Sequence, residues 1–188
     1  MLWSPGWPTI TERWARIGNT PSMRRFTEGG NMPTVNRLEA VPQGLCPQKQ
    51  ALKQSLADLT EQEFCEAFES LQIPKESFHH REHIRLAWIY SSHYGEEEAA
   101  ARMVQGIRAF ARHHGVDQKY HHTITLAWMR LVLQAVRTTP QTRHFTSFVN
   151  ANPHLLNPRL LCDYYSPELL KQDAARRSWI EPDLRPLS

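Results

Sequence analysis

The chain has little of what marks a membrane, secreted or strand-rich protein. No apolar run approaches the ~20 residues that a transmembrane helix requires, and the N-terminus lacks the basic start and apolar stretch of a signal peptide. The three cysteines are too few and too irregularly spaced for a disulfide framework. No stretch alternates between apolar and polar residues as a half-buried strand would. These absences favour a helical, cytoplasmic protein that does not bind a membrane.

The net positive charge is small, and all of it comes from one end of the chain. The formal net charge is +3 over 188 residues. Residues 1–50 carry six Lys or Arg and three Asp or Glu, whereas residues 51–188 carry sixteen of each. Because Arg24, Arg25 and Arg37 form no dense basic patch, no nucleic-acid partner is expected.

The first fifty residues differ from the rest in composition. Residues 1–50 hold six of the thirteen prolines, five of the eight glycines and no histidine. They show no apolar periodicity, so we predict an irregular or disordered arm ahead of a helical domain over residues 51–188. Three tryptophans are unusual in such an arm: Trp3, Trp7 and Trp14. They leave open packing on the domain, docking of a partner, or a start codon placed too early.

Beyond the arm, apolar residues recur at helical spacing. Thr60 and Glu63 form a capping-box pattern before Phe64 and Phe68, and Pro74 ends that element. Three longer helices are expected at about 77–94, 96–115 and 120–138. Shorter ones are expected at about 143–151 and 158–165, and from 167 onward. We therefore predict an all-α fold, a compact helical bundle of about four main helices plus short C-terminal helices.

Eight of the ten histidines fall between residues 79 and 122. Five of them form two clusters, residues 79–83 and 119–123, which we call the histidine knots and which each open a predicted helix. Residues three apart share a helix face, so His80 and His83 could chelate one ion. His121 would join them if the two helix starts meet. Three histidines plus water form an open catalytic site for zinc, iron or copper. His122 is expected to be an exposed neighbour.

The histidine knots match no established metal motif, and they are compatible with roles that need no metal. The spacing of His80 and His83 is not that of the His-Glu-x-x-His metalloprotease motif. Glu76 lies three residues before His79, as in di-iron bundles, but no second Glu-x-x-His accompanies it. The imidazoles could instead cap helix starts and bond neighbouring groups, or act as metal-free acids and bases through His83 and His121.

Tyr120 and Thr123 extend the second knot with hydroxyl groups. A helix start with free backbone N–H groups favours an anionic ligand, to which Arg85 and Lys119 could add positive charge. In the proposed chemistry, Glu82 or Tyr120 moves protons and Thr123 orients the ligand. The sequence therefore predicts a small polar or anionic molecule as ligand.

Two segments, Phe78 to Trp88 and Lys119 to Thr125, resemble a family of small bacterial helical proteins with no assigned function. The match continues through Tyr164–Leu170, Ala174–Arg176 and Trp179–Leu184 and covers residues 60–187. The family carries the same residue types at five positions of the knots: His80, His83, Tyr120, His121 and Thr123. At the position of His122 it often has glutamate. The resemblance implies that the arm is an appendage, favours His80 over His79 in a site, and implies no mechanism.

The leading hypothesis from the sequence is a small helical protein with a histidine-lined pocket, acting as a metal-dependent enzyme on a small molecule. The alternative is a non-catalytic binding or accessory protein that docks a partner through residues 1–50. The tail from Trp179 lacks helical periodicity and contains Pro182. We expect it to pack across the bundle.

Overall fold

A computed structural model of the chain describes residues 56–139 and 142–187, and within them the backbone forms helices and no strand. The four longer helices are α1 (Glu61–Glu69), α2 (His80–His93), α3 (Glu96–His113) and α4 (His122–Thr138). The three shorter ones are α5 (Phe145–Ala151), α6 (Pro167–Leu170) and α7 (Asp173–Arg177). Short 3-10 helices lie at Lys75–Ser77, Asp117–Lys119, Pro153–Leu156 and Pro158–Asp163. The predicted all-α fold is confirmed, whereas the predicted arm, residues 1–50, lies outside the described residues.

Both histidine knots straddle a helix start, and neither lies wholly inside the helix. The predicted start of α2 at Ser77 is wrong, because Lys75–Ser77 forms a 3-10 turn and His79 is the extended N-cap residue. In the same way α4 begins at His122, with His121 as its N-cap. One histidine of each knot therefore stands at the point where backbone N–H groups lack a helical partner.

The core is formed where α2, α3 and α4 pack against one another, with α1 lying against α2 and α3. Phe68, Phe78 and Phe110 join α1 and α3 in an aromatic cluster, with ring centroids 4.7 to 5.6 Å apart. All three side chains are buried, and each buried phenylalanine contributes about 1.5–3 kcal/mol. The two helices approach closely at Gly106, where a Cβ atom would lie 2.8 Å from the Phe68 ring. These contacts join α1 and α3 beside the start of α2, which follows Phe78.

The C-terminal segment returns across α4, which α7 contacts directly. The Tyr165 hydroxyl donates to the carbonyl of Ile180 at 3.2 Å, and the Arg130 guanidinium lies 4.0 Å above the Trp179 ring. The prediction that the tail packs across the bundle is thus confirmed. Throughout the described residues, no helix combines the length and apolar character needed to cross a bilayer.

Candidate functional site

His80 faces inward, and it bonds a distant part of the chain. Its Nε2 lies 2.8 Å from the carbonyl oxygen of Leu155, and its ring meets the edge of Trp128 with centroids 4.5 Å apart. Burial lowers the pKa of His80, although the bond to Leu155 opposes this. The neutral imidazole therefore donates Nε2–H to the carbonyl and fastens the Pro153–Leu156 turn to α2.

His83 and Glu82 serve the start of their own helix. His83 Nδ1 lies 2.8 Å from the carbonyl of His79, and its ring packs on Phe78 at 4.3 Å. Burial is the largest cause that lowers the pKa of His83. The Glu82 carboxylate accepts the His79 N–H at 3.0 Å, as the carboxylate of a capping box does. The group predicted to move protons is thus engaged with the backbone.

His121 uses both of its ring nitrogens. Nδ1 accepts the N–H of Ile124 at 3.3 Å, so Nε2 carries the hydrogen and donates to the carbonyl of Leu170 at 2.9 Å. The side chain is only 7% exposed. No lone pair remains on the ring to bind a metal ion.

The predicted metal ligands are therefore directed at three different carbonyl groups, those of Leu155, His79 and Leu170. Among residues 56–139 and 142–187, no three His, Cys, Asp or Glu side chains are grouped so that they could share one ion. Binding of zinc, iron or copper through His80, His83 and His121 stays a prediction from the sequence.

Thr123 is fully buried, and both hydrogen-bonding functions of its hydroxyl are in use. Oγ1 donates to the carbonyl of Ser178 at 2.8 Å and accepts the N–H of Ile180 at 3.2 Å. The residue predicted to orient a ligand therefore holds the C-terminal segment against α4.

Tyr120 and His122 lie on the other side of the same knot. The Tyr120 hydroxyl is 2.9 Å from His122 Nδ1, and the Arg108 guanidinium lies 4.9 Å from the centre of the Tyr120 ring. Burial, and then the charges of Arg108 and His121, lower the pKa of His122. Burial also raises the pKa of Tyr120, which Arg108 partly offsets. A neutral phenol thus donates to a neutral imidazole, and His122, predicted to be exposed, is half-buried.

Tyr120 opens onto a surface cleft of about 360 Å³ between three elements. Arg108 comes from α3 and Arg176 and Arg177 come from α7; Asp117, Gln118 and Asp173 complete the walls. Asp173 pairs with Arg177 at 3.2 Å, and Arg176 donates to the carbonyl of Gln118. Arg108 has no carboxylate partner among the described residues. The cleft combines a hydroxyl group with an excess of guanidinium groups.

A second and larger cavity, of about 1120 Å³, lies at the opposite histidine knot and is lined by Glu82 and Arg85. The predicted residues of that cavity are bonded elsewhere, and the Glu82 carboxylate accepts the His79 N–H. Arg85 bonds Glu61 and the carbonyls of Leu56 and Leu59, and it lies over the Phe64 ring. The prediction that Arg85 adds charge beside Tyr120 is therefore wrong. We take the small cleft as the candidate site because it places Tyr120, a predicted site residue, beside Arg108, whereas Glu82 and Arg85 of the larger cavity are bonded to other groups.

Sequence reasoning assigned no role to the arginines of the cleft, although Arg176 lies in one of the segments that resemble the bacterial family. Arg108 is an exposed residue in the middle of a predicted helix, and Arg176 follows Tyr120 by more than fifty residues. No local pattern joins them. Of the predicted site residues, only Tyr120 lies in the cleft.

Comparison of the chain with protein-family models, curated proteins and solved structures found no match. The resemblance to a bacterial family therefore stays an expectation based on the two histidine motifs.

Proposed function

We propose that this protein binds a small anionic molecule in the cleft beside Tyr120. The observation that carries the proposal is the position of Arg108, whose guanidinium lies over the Tyr120 ring at the cleft and pairs with no carboxylate among the described residues. The proposal keeps the ligand class predicted from the sequence and assigns no reaction to the site.

The chemistry of the cleft suits an anion. A guanidinium presents a planar fork of N–H donors that matches carboxylate and phosphate oxygens. Arg176, half-buried beside Gln118, faces Arg108 from another element. A hydrogen bond from a charged donor contributes about 1.5–3 kcal/mol. Two such arginines and one hydroxyl are sufficient for weak, selective binding.

The surrounding charges favour the same ligand. The five charged residues of the cleft are Arg108, Arg176 and Arg177 against Asp117 and Asp173, so three cations face two anions. Lys119 is exposed on the adjoining turn. The cleft volume of about 360 Å³ falls within the lower range of small-molecule sites.

The test uses sulfate and malonate as probes of tetrahedral and planar anions. Each is titrated into the protein at constant ionic strength set with sodium chloride, and binding is followed by calorimetry and by NMR shifts. Constant ionic strength is needed because salt alone screens exposed charges. We expect at least one probe to bind and to shift the resonances of Tyr120.

Two variants and a matched control complete the experiment. Arg108→Gln should weaken binding at least about tenfold, since it removes a charged donor. Tyr120→Phe keeps the ring under Arg108 and should weaken anion binding by a smaller factor. Arg159→Gln, an exposed arginine outside the cleft, should leave affinity unchanged. Binding of neither probe, or equal affinity in Arg108→Gln and Arg159→Gln, would show that the cleft is not the site.

A further inference from the structure

We infer that Thr123 is a positioning residue for the cleft. It holds helix α7, which carries Arg176 and Arg177, against the start of α4. The inference rests on the proposed anion binding. A fully buried hydroxyl cannot touch a ligand in a surface cleft. Its two partners, Ser178 and Ile180, lie one and three residues after Arg177, the last residue of α7.

Helix α7 is held at both of its ends. Ser178, which follows it, bonds to Thr123, and Leu170, three residues before its start, bonds to His121. The helix is only five residues long, and so short a helix is not stable by itself. Its place in the fold depends on these contacts with the start of α4. The placement of Arg176 and Arg177 depends on them in turn.

Removal of the Thr123 hydroxyl would disturb this arrangement. In Thr123→Val, the Ser178 carbonyl and the Ile180 N–H lose their shared partner in the protein interior. Buried polar groups without partners are costly, so both should move toward water and carry the end of α7 with them. Ligand-binding groups must be held to within about 0.5 Å. The change should therefore reach Arg176 without any contact between Thr123 and the ligand.

Thermodynamic linkage also predicts the reverse effect, that of anion binding on the docking of α7. If docking of α7 is required for anion binding, a bound anion must stabilise the docked segment. Lys171 provides a probe of docking, because it is an exposed trypsin site between α6 and α7 that does not line the cleft. Sulfate should slow cleavage after Lys171.

The experiment compares wild type with Thr123→Val, Thr123→Ser and the control Thr138→Val. Thr138 lies in the same helix, and its hydroxyl bonds only Gln134 and Ala135 in that helix. We expect Thr123→Val to weaken sulfate binding by about five- to tenfold, as the loss of one well-placed contact would. Thr123→Ser should bind sulfate with an affinity within about twofold of wild type, and Thr138→Val should match wild type. Far-UV circular dichroism confirms that each variant is folded.

The possible outcomes are distinct. Wild type that binds neither sulfate nor malonate would remove the proposed function together with this inference; if only malonate binds, malonate replaces sulfate in every comparison. Wild-type affinity in a folded Thr123→Val protein would overturn this inference alone. If Thr123→Val does not fold, the trypsin assay on wild type decides: slower cleavage after Lys171 in sulfate than in chloride supports the inference, and equal rates overturn it.

Discussion

The two histidine knots are similar in composition but differ in how they face the rest of the fold. At the start of α2, His80 and His83 both turn to backbone carbonyls, and Glu82 caps the helix. At the start of α4, successive side chains point alternately toward the interior and toward the surface. His121 and Thr123 point inward and hold the C-terminal segment, whereas Tyr120 and His122 pair beside the surface cleft.

The alternation follows from backbone geometry. His121 is an extended N-cap residue, with φ −142° and ψ 110°, and successive side chains on extended backbone point to opposite sides. Tyr120 and His121 therefore separate. One cluster of polar residues can thus supply both structural anchors and surface groups, depending on its register relative to the helix start.

The largest expected difference is between His121 and its neighbour. His121→Ala removes an N-cap acceptor, worth about 0.5–2 kcal/mol, and leaves the Leu170 carbonyl without its donor, at about 1–3 kcal/mol. We expect a loss of about 2–4 kcal/mol in the free energy of unfolding, measured with urea. His122→Ala should cost less than about 1 kcal/mol, because half-exposed groups contribute little. Equal losses would remove the distinction between anchor and surface residue.

Substitution of His80 in the first knot should lower the free energy of unfolding less than His121→Ala does. His80→Ala leaves the Leu155 carbonyl without its donor and removes the ring from Trp128. A loss of about 1–3 kcal/mol is expected from the unpaired carbonyl. Urea unfolding again provides the measurement, with His154→Ala as the control, since the His154 side chain is exposed and His154 is not a helix cap. A His80 variant as stable as the control would contradict the structural role of this imidazole.

Acid should weaken the fold through the first knot. The pKa values of His80 and His83 are lowered from the usual 6.5, with burial as the main cause. The unfolded chain therefore takes up protons at a pH where the folded chain does not. This contribution to stability is complete above pH 6.5 and is lost as the pH falls below it. The urea midpoint should drop between pH 7.5 and 5, and less so in the double variant His80→Gln, His83→Gln; equal drops would contradict the assignment.

The smallest expected effect concerns metal. Because both ring nitrogens of His121 are engaged, His121→Gln should not change the zinc, iron or copper content of protein purified without a histidine tag. Metal analysis by mass spectrometry tests this. Bound metal that is lost in His121→Gln and retained in the surface variant His154→Gln would restore the histidine site predicted from the sequence.

Much of the fold could be predicted because it depends on local patterns. The capping box of Thr60 and Glu63, the acidic first turn at Glu96 and the glycine after α3 all act over a few residues. The errors at the starts of α2 and α4 are also local. The periodicity of the apolar residues continued past the true N-caps, where backbone geometry ends the helix.

The candidate site could not be predicted in the same way. Tyr120 was found because it belongs to a cluster of histidine and hydroxyl side chains. Arg108 has no such neighbours, and Arg176 lies in a segment of the family resemblance that assigned it no role. The cleft exists because α7 folds back onto α4, and the bond between Thr123 and Ser178 spans 55 positions of the chain. Contacts at such a separation depend on the packing of the whole bundle.

The sequence by itself determined the helical class, the approximate helices and the position of two histidine knots at helix starts, since each of these follows from interactions within one turn of helix. Only the tertiary structure decided what each imidazole does. His80 and His121 meet carbonyl groups that lie 75 and 49 positions away. Burial favours the neutral form of His80 as a donor, whereas the direction of the His121 bonds follows from the Ile124 N–H that its Nδ1 accepts.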